Sequence, residues 1–97
     1  MELNRGVSIK YLGHSTFLFT TPGGDRVIID PWVENNPACP EADKKLESLD
    51  TMLITHAHPD HMQDAVSLAR EFKPQIACNF EISLWLEGKE VENVTGM

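Results

Sequence analysis

The chain has 97 residues, which fits a single small domain, and 41% of them are hydrophobic and 24% charged, as in ordinary globular proteins. Its net charge of -7 argues against a nucleic-acid or anionic-membrane partner, because both bind basic surfaces. No apolar run is long enough to span a membrane. The first residues lack the basic and then apolar pattern of a secretory signal, and two cysteines make no disulfide framework, so we expect a cytoplasmic protein.

The first third of the chain predicts three consecutive antiparallel strands. Val7–Leu12 alternates apolar and polar residues, and after an interruption at Gly13 the alternation resumes over Ser15–Thr21. Pro22–Asp25 is a turn signal between two β-prone runs and predicts a hairpin loop. Val27–Ile29 is apolar on consecutive residues, which indicates a third strand that is buried on both faces. We therefore expect a meander.

The next segment, Val33–Asp50, is polar, with prolines, two asparagines and charges of both signs. It predicts a long loop, with a helical turn at Glu41–Leu46. Long loops in small domains are usually functional or disordered. Because this loop comes just before the strand that leads to a histidine cluster, we expect it at the rim of a site.

The second half predicts alternating strands and helices. Met62–Phe72 has apolar residues at helical spacing, with Asp64 in its first turn and Arg70 in its last, as the helix dipole favours. Lys73 and Pro74 end that helix. The other predicted elements are strands at Thr51–Thr55, Gln75–Asn79 and Val91–Val94, and a short amphipathic helix at Glu81–Leu86 that Gly88 ends. A meander followed by strand-helix-strand-helix predicts an α/β fold of α+β character.

Between the fourth strand and the helix lies His56–His61, which holds three of the four histidines of the chain and one aspartate. Imidazole and carboxylate are the ligands that suit zinc, iron and manganese. In an extended segment, His56, His58 and Asp60 share one face, while His61 approaches from a second direction, which suits two adjacent cations. One histidine alone is usually solvated or hydrogen-bonded, but the clustering favours a metal site.

The motif His-x-His-x-Asp-His after a buried strand resembles the signature of metallo-β-lactamase-fold hydrolases. Tyr11–Phe17 and Ile29–Pro31 are similar to a lactonase-like branch of that superfamily. The resemblance runs from Gly6 to Met97, but it covers well under half of a family domain. It implies that residues 1–97 form a partial domain, the N-terminal half of a four-layer αββα sandwich.

The resemblance also implies a chemistry and assigns roles. It implies two divalent metal ions, Zn²⁺ first and Mn²⁺ or Fe²⁺ as alternatives, that activate water against an ester, lactone or phosphoester of a small molecule. His56 and His58 would bind the first metal, and Asp60 and His61 the second. Asp60 would also be catalytic, orienting the attacking water and taking its proton. His14 would contact substrate or act as an acid.

The residues themselves leave alternatives open. His14, taken alone, is as well explained as a structural histidine at a strand break. Asp30 ends a buried strand beside a proline, and such a carboxylate commonly caps a turn or holds a neighbouring loop, so we favour a supporting role. Trp32 and Trp85 are most simply packing residues, and Asn35–Pro37 is most simply a turn.

No histidine follows His61, and none of the later carboxylates lies in a matching motif, so the predicted site is half a site. Three hypotheses follow. The chain is part of a hydrolase that a C-terminal half completes; or it is an inactive truncated or split product; or it is an interaction module that binds metal weakly. The exposed edges and open core face of half a sandwich would favour docking on a complementary half or self-association.

Overall fold

A computed structural model describes residues 6–13, 15–33, 36–55 and 64–96. These ranges contain six strands, two α-helices and one short 3-10 helix. The strands are β1 (Ser8–Gly13), β2 (Thr16–Thr20), β3 (Arg26–Ile29), β4 (Thr51–Leu53), β5 (Gln75–Cys78) and β6 (Val94–Gly96), and the helices are α1 (Ala65–Phe72), α2 (Phe80–Gly88) and the 3-10 helix (Glu41–Asp43).

The six strands form one mixed sheet in the order of the sequence. β1, β2 and β3 pair antiparallel, which confirms the predicted meander. The hairpin between β2 and β3 is closed by hydrogen bonds in which Thr21 N–H donates to Asp25 and Gly24 N–H donates to Thr21, both at 2.9 Å. β3 through β6 then pair parallel, because helices or the long loop connect them.

One face of the sheet is sealed, and we call it the covered face. Leu18, Ile28, Met52 and Ile76 are direct partners across β2 to β5, and each is at most 3% exposed. They share a core with the inward residues of both helices, which are Ala65 and Ala69 of α1 and Ile82 and Leu86 of α2. The helices therefore lie over this face.

The opposite face is also apolar, and we call it the open face. Successive side chains of a strand point to opposite faces, so the neighbours of the covered row belong here. They pair as Phe17 with Ile29, Ile29 with Leu53 and Phe19 with Val27, and all are only partly buried. Tyr11 packs on Phe17 with ring centroids 5.1 Å apart and remains mostly exposed. Among the described residues, no helix covers this face as α1 and α2 cover the other.

The end of α1 agrees with the prediction, whereas β6 differs. Lys73 adopts a left-handed conformation and donates its N–H to the carbonyl of Ala69 at 2.9 Å, and Pro74 then prevents further helix. The sixth strand lies at Val94–Gly96 rather than Val91–Val94, because the backbone turns with positive φ at Asn93 before the strand begins.

α2 corrects the prediction of an amphipathic helix. It begins at Phe80, where the side chain of the preceding Asn79 accepts from Ile82 N–H at 2.8 Å and caps the helix. Its inward residues are buried, but Phe80, Leu84 and Trp85 are 62, 52 and 44% exposed on the other side. The helix is thus apolar around most of its circumference. Neither α1 nor α2 is long and apolar enough to cross a membrane.

The long loop between β3 and β4 is polar in composition, but several of its apolar side chains are buried. Only Glu41–Asp43 forms a helical turn, shorter than the predicted Glu41–Leu46. The apolar side chains along the loop join the core, namely Val33, Cys39, Leu46 and Leu49. The loop is therefore fixed against the covered side of the sheet, and it can hold neighbouring segments in place.

Candidate metal centre

The residues predicted from the sequence to act at the site are His14, His56, His58, Asp60 and His61, and all lie outside the described ranges. Within those ranges, no three His, Cys, Asp or Glu side chains lie close enough together to hold a metal ion. The described residues on either side of the predicted ligands show how the protein holds the ends of that segment.

The near end of the ligand segment is held by Asp30. This carboxylate is almost fully buried, and it accepts two hydrogen bonds from Thr55, one from the backbone N–H and one from the hydroxyl, each 2.6 Å long. Asp30 adopts a positive φ of 52°, and its own N–H donates to Leu53 at 2.8 Å, so it continues the pairing of β3 with β4. The expectation that Asp30 holds a neighbouring loop agrees with these contacts, because Thr55 directly precedes His56.

The far end of the ligand segment is held by Asp64. Its backbone N–H donates to the carbonyl of Pro31 at 2.9 Å, and its carboxylate accepts from the N–H of Val33. Asp64 lies at the N-cap of α1, but its side chain makes no capping hydrogen bond there. The prediction placed Asp64 in the first turn of the helix, but Asp64 is the N-cap residue, and its side chain binds the loop after β3.

The start of β2 contacts the same short segment. Thr16 is fully buried on the covered side, and its hydroxyl lies 2.6 Å from the carbonyl oxygen of Asp30 and 3.4 Å from that of Trp32. A buried hydroxyl needs such a partner, since an unsatisfied one costs free energy. Thr16 therefore ties the beginning of β2 to the end of β3.

Asn36 joins this segment to the turn after β1. Its fully buried amide donates to the carbonyls of Trp32 at 2.9 Å, Gly13 at 3.1 Å and Leu12 at 3.3 Å, and its oxygen accepts from Ala38 N–H at 3.0 Å. Gly13 has a φ of +104°, and a Cβ there would lie 2.7 Å from the Cβ of Ala38. Only glycine fits, so the backbone directly before His14 is fixed against the loop.

These contacts form one unit, which we call the polar brace: the side chains of Thr16, Asp30, Asn36 and Asp64 with the backbone of residues 30–33. It contacts Gly13, which precedes His14, and Thr55, which precedes His56, and it includes Asp64, which follows residues 56–63. Three of its members were not predicted as site residues: Asn36 was predicted in a turn, Asp64 in a helix and Thr16 in a strand. The available signal was a threonine at the start of β2, two residues before Leu18 and therefore on the same face.

The long loop also borders a groove of about 550 Å³ beside the brace. Val33 and Asp64 line it together with residues of the loop and of α1. Its lining mixes Lys44 and Lys45 with carboxylates and with the apolar side chains of α1. This mixed charge selects no single class of ligand, so the groove itself does not indicate a substrate.

Comparisons with known proteins agree with this architecture. Residues 8–94 match the beta-lactamase superfamily domain. A UPF0173 metal-dependent hydrolase of Koribacter versatilis is 48% identical over 96% of this chain and 40% of its own length. Another, from Rubrobacter xylanophilus, is 46% identical over 95% of this chain and 38% of its own. The chain therefore spans about two fifths of the length of these curated relatives.

A solved structure shows the same fold. Igni18, described as a novel metallo hydrolase from the hyperthermophilic archaeon Ignicoccus hospitalis, superposes with a TM-score of 0.80 at 32% sequence identity. The likeness covers 94% of this chain and 39% of Igni18, which confirms the prediction of the N-terminal part of a metallo-β-lactamase fold. The chain belongs to the β-lactamase superfamily.

Proposed function

We propose that this chain supplies the metal-binding part of a metal-dependent hydrolase. The observation that carries the proposal is the polar brace, in which Asp30 and Asp64 fasten the two ends of a segment that holds three histidines and an aspartate. A metal-binding loop needs support on both sides, because its ligands must be held in a fixed geometry. The relatives that match this chain carry the name metal-dependent hydrolase.

The donor set fits divalent metal ions of the zinc type. Neutral imidazole and carboxylate bind Zn²⁺, and they also accept Mn²⁺ and Fe²⁺. We assign His56 and His58 to one ion and Asp60 and His61 to a second, with Zn²⁺ as the first choice. Such ions, when bound, lower the pKa of water and polarise a carbonyl or phosphoryl oxygen.

The residues of this chain have distinct proposed roles in hydrolysis. Asp60 orients the attacking water and accepts its proton, and His14 contacts the substrate or donates a proton to the leaving group. Asp30 is not assigned to proton transfer, because its two carboxylate oxygens already accept hydrogen bonds from Thr55 in a buried setting. Its role is to fix the strand end from which His56 follows.

The proposed substrate is a small molecule with an ester, lactone or phosphoester bond, in keeping with the lactonase-like sequence features around Gly13 and Asp30. The acidic chain, with a net charge of -7, is a poor partner for nucleic acid. Both cysteines are free thiols and buried, which suits the reducing cytoplasm that we propose as its location.

Activity is proposed to need a complementary C-terminal half, which would supply the remaining ligands. The support is the open face, where Phe17, Phe19, Ile29 and Leu53 are apolar but only partly buried. The shared length with the curated relatives, about 40%, agrees with this. The open face equally favours the second candidate function, an inactive module that associates through this surface and binds metal weakly.

Elemental analysis of the purified chain tests the proposal. We expect about two metal ions per chain in the wild type and their loss in His58→Ala, since each ligand removed weakens the site. His14→Ala is the matched control, because His14 is assigned to the substrate and not to the metal, so this variant should keep the metal content of the wild type. A substoichiometric metal content that His58→Ala leaves unchanged would refute the metal centre and favour the inactive module.

A further inference from the structure

The brace fastens both flanks of the ligand segment to one place. Thr55, the residue before the segment, is bound to Asp30, and Asp64, the residue after it, is bound to Pro31 and Val33. The two described residues that flank 56–63 are therefore both held by the short segment 30–33, directly after β3. An anchored segment loses little further conformational entropy when it binds a ligand, which is the basis of preorganisation.

Asp64 is unusual in how it uses its side chain. An aspartate at the N-cap of a helix ordinarily accepts a hydrogen bond from a backbone N–H of the first turn. Here the helix receives no such bond, and the carboxylate oxygen instead accepts from Val33 N–H, thirty-one residues away in sequence. The carboxylate thus joins the start of α1 to the segment after β3 and makes no hydrogen bond within the first turn of the helix.

We propose that Asp64 is a positioning residue for the metal centre: by holding Val33, it fixes the residue that follows the segment carrying the predicted ligands. This inference rests on the proposed function, since it assumes that the three histidines and the aspartate of His56–His61 are the ligands. In this role Asp64 affects metal affinity without binding the metal, because it acts through the polar brace.

The competing role for Asp64 is that of a metal ligand in its own right. The two roles make different demands on the side chain. To hold Val33 N–H, the residue needs only an oxygen that accepts a hydrogen bond, and the amide oxygen of asparagine can provide it. To bind a cation, the residue needs the charged carboxylate. Asparagine therefore separates positioning from ligation, while alanine removes both.

The test is a Co²⁺ titration of the metal-free chain, followed by the visible absorption of the bound ion. We expect Asp64→Ala to weaken binding by about 10- to 100-fold, the usual effect of removing a supporting group, and to change the shape of the cobalt spectrum. Asp64→Asn should bind nearly as tightly as the wild type, with the same spectrum. Glu71→Ala is the matched control, since Glu71 is an exposed carboxylate on the same helix and its removal should change nothing.

Two results would overturn the positioning role: Asp64→Ala binding cobalt like the wild type, or Asp64→Asn binding as weakly as Asp64→Ala. A wild-type chain that takes up no cobalt would refute the metal centre itself, and a second measurement then decides on Asp64. In the metal-free chain, ¹⁵N relaxation should show residues 56–63 more mobile in Asp64→Ala than in the wild type or Asp64→Asn. Equal mobility in all three proteins would overturn the positioning role without reference to metal.

Discussion

The two faces of the sheet are built from neighbouring residues of the same strands, yet they differ in how they are packed. Ile28 is sealed beneath the helices, whereas Ile29, the next residue of β3, lies on the open face and is only partly buried. Sheets with parallel strands are normally covered on both faces. An apolar face that is only partly buried by the described part of the chain is therefore what one layer of a larger sandwich looks like.

The two faces have different proposed roles, one in folding and one in association. The covered face supplies a core and, at the ends of β2, β3 and β4, the polar brace that supports the ligand segment. The open face supplies apolar surface to a partner. We therefore expect folding stability to depend mainly on the covered face, and association to depend on the open face.

The largest expected effect compares Ile28→Ala with Ile29→Ala. Loss of the buried Ile28 should lower the free energy of unfolding by about 2 to 5 kcal/mol, because it removes apolar burial and leaves a cavity. Ile29→Ala should cost about 1 kcal/mol, since its side chain keeps part of its exposure and leaves no sealed cavity. Urea denaturation measures both free energies of unfolding. The change in β propensity from isoleucine to alanine is the same in the two variants, so it does not bias the comparison. Equal costs would contradict the distinction between the faces.

A smaller effect is expected on association through the open face. Phe17→Thr and Phe19→Thr keep strand propensity but remove apolar surface, so we expect less self-association by sedimentation velocity and weaker binding of a hydrophobic dye. Leu84→Thr is the matched control, because Leu84 is exposed on the outer side of α2 instead. If Leu84→Thr reduced association and the phenylalanine variants did not, α2 would be the associating surface.

The smallest expected effect is the pH dependence of stability caused by Cys78 on the covered face. Burial raises the pKa of the Cys78 thiol above its ordinary value, and the Glu87 carboxylate raises that pKa further. The unfolded chain therefore loses this proton at a lower pH than the folded one. Stability should fall as the pH rises above about 8.5, the pKa of an unperturbed thiol.

Denaturation curves at several pH values measure the slope, and Cys78→Ala should flatten it. The two cysteines are both buried, so Cys39→Ala serves as the matched variant that leaves the Cys78 thiol in place. An unchanged alkaline slope in Cys78→Ala would show that another group causes the loss of stability.

Much of the fold could be predicted because it follows from local patterns. The alternation in β1 and β2, the turn at Pro22–Asp25 and the stop at Lys73 each depend on a few adjacent residues, and the structure agrees with them. The outward face of α2 could not be predicted, because the side of a helix that meets the sheet depends on neighbours distant in sequence. Phe80 and Trp85 are as apolar as the buried residues of α2, so composition does not tell which side of the helix faces the sheet.

The chemistry proposed for the candidate site follows from the sequence alone, since three histidines and an aspartate in six residues offer a donor set before any fold is considered. How the flanks of that segment are supported depends on contacts between residues distant in sequence. Asn36 reaches back to Gly13, and Asp64 reaches back to Val33, across 23 and 31 residues of sequence. Such contacts leave no local periodicity, because each is a single polar pair whose partners meet only after the strands have paired.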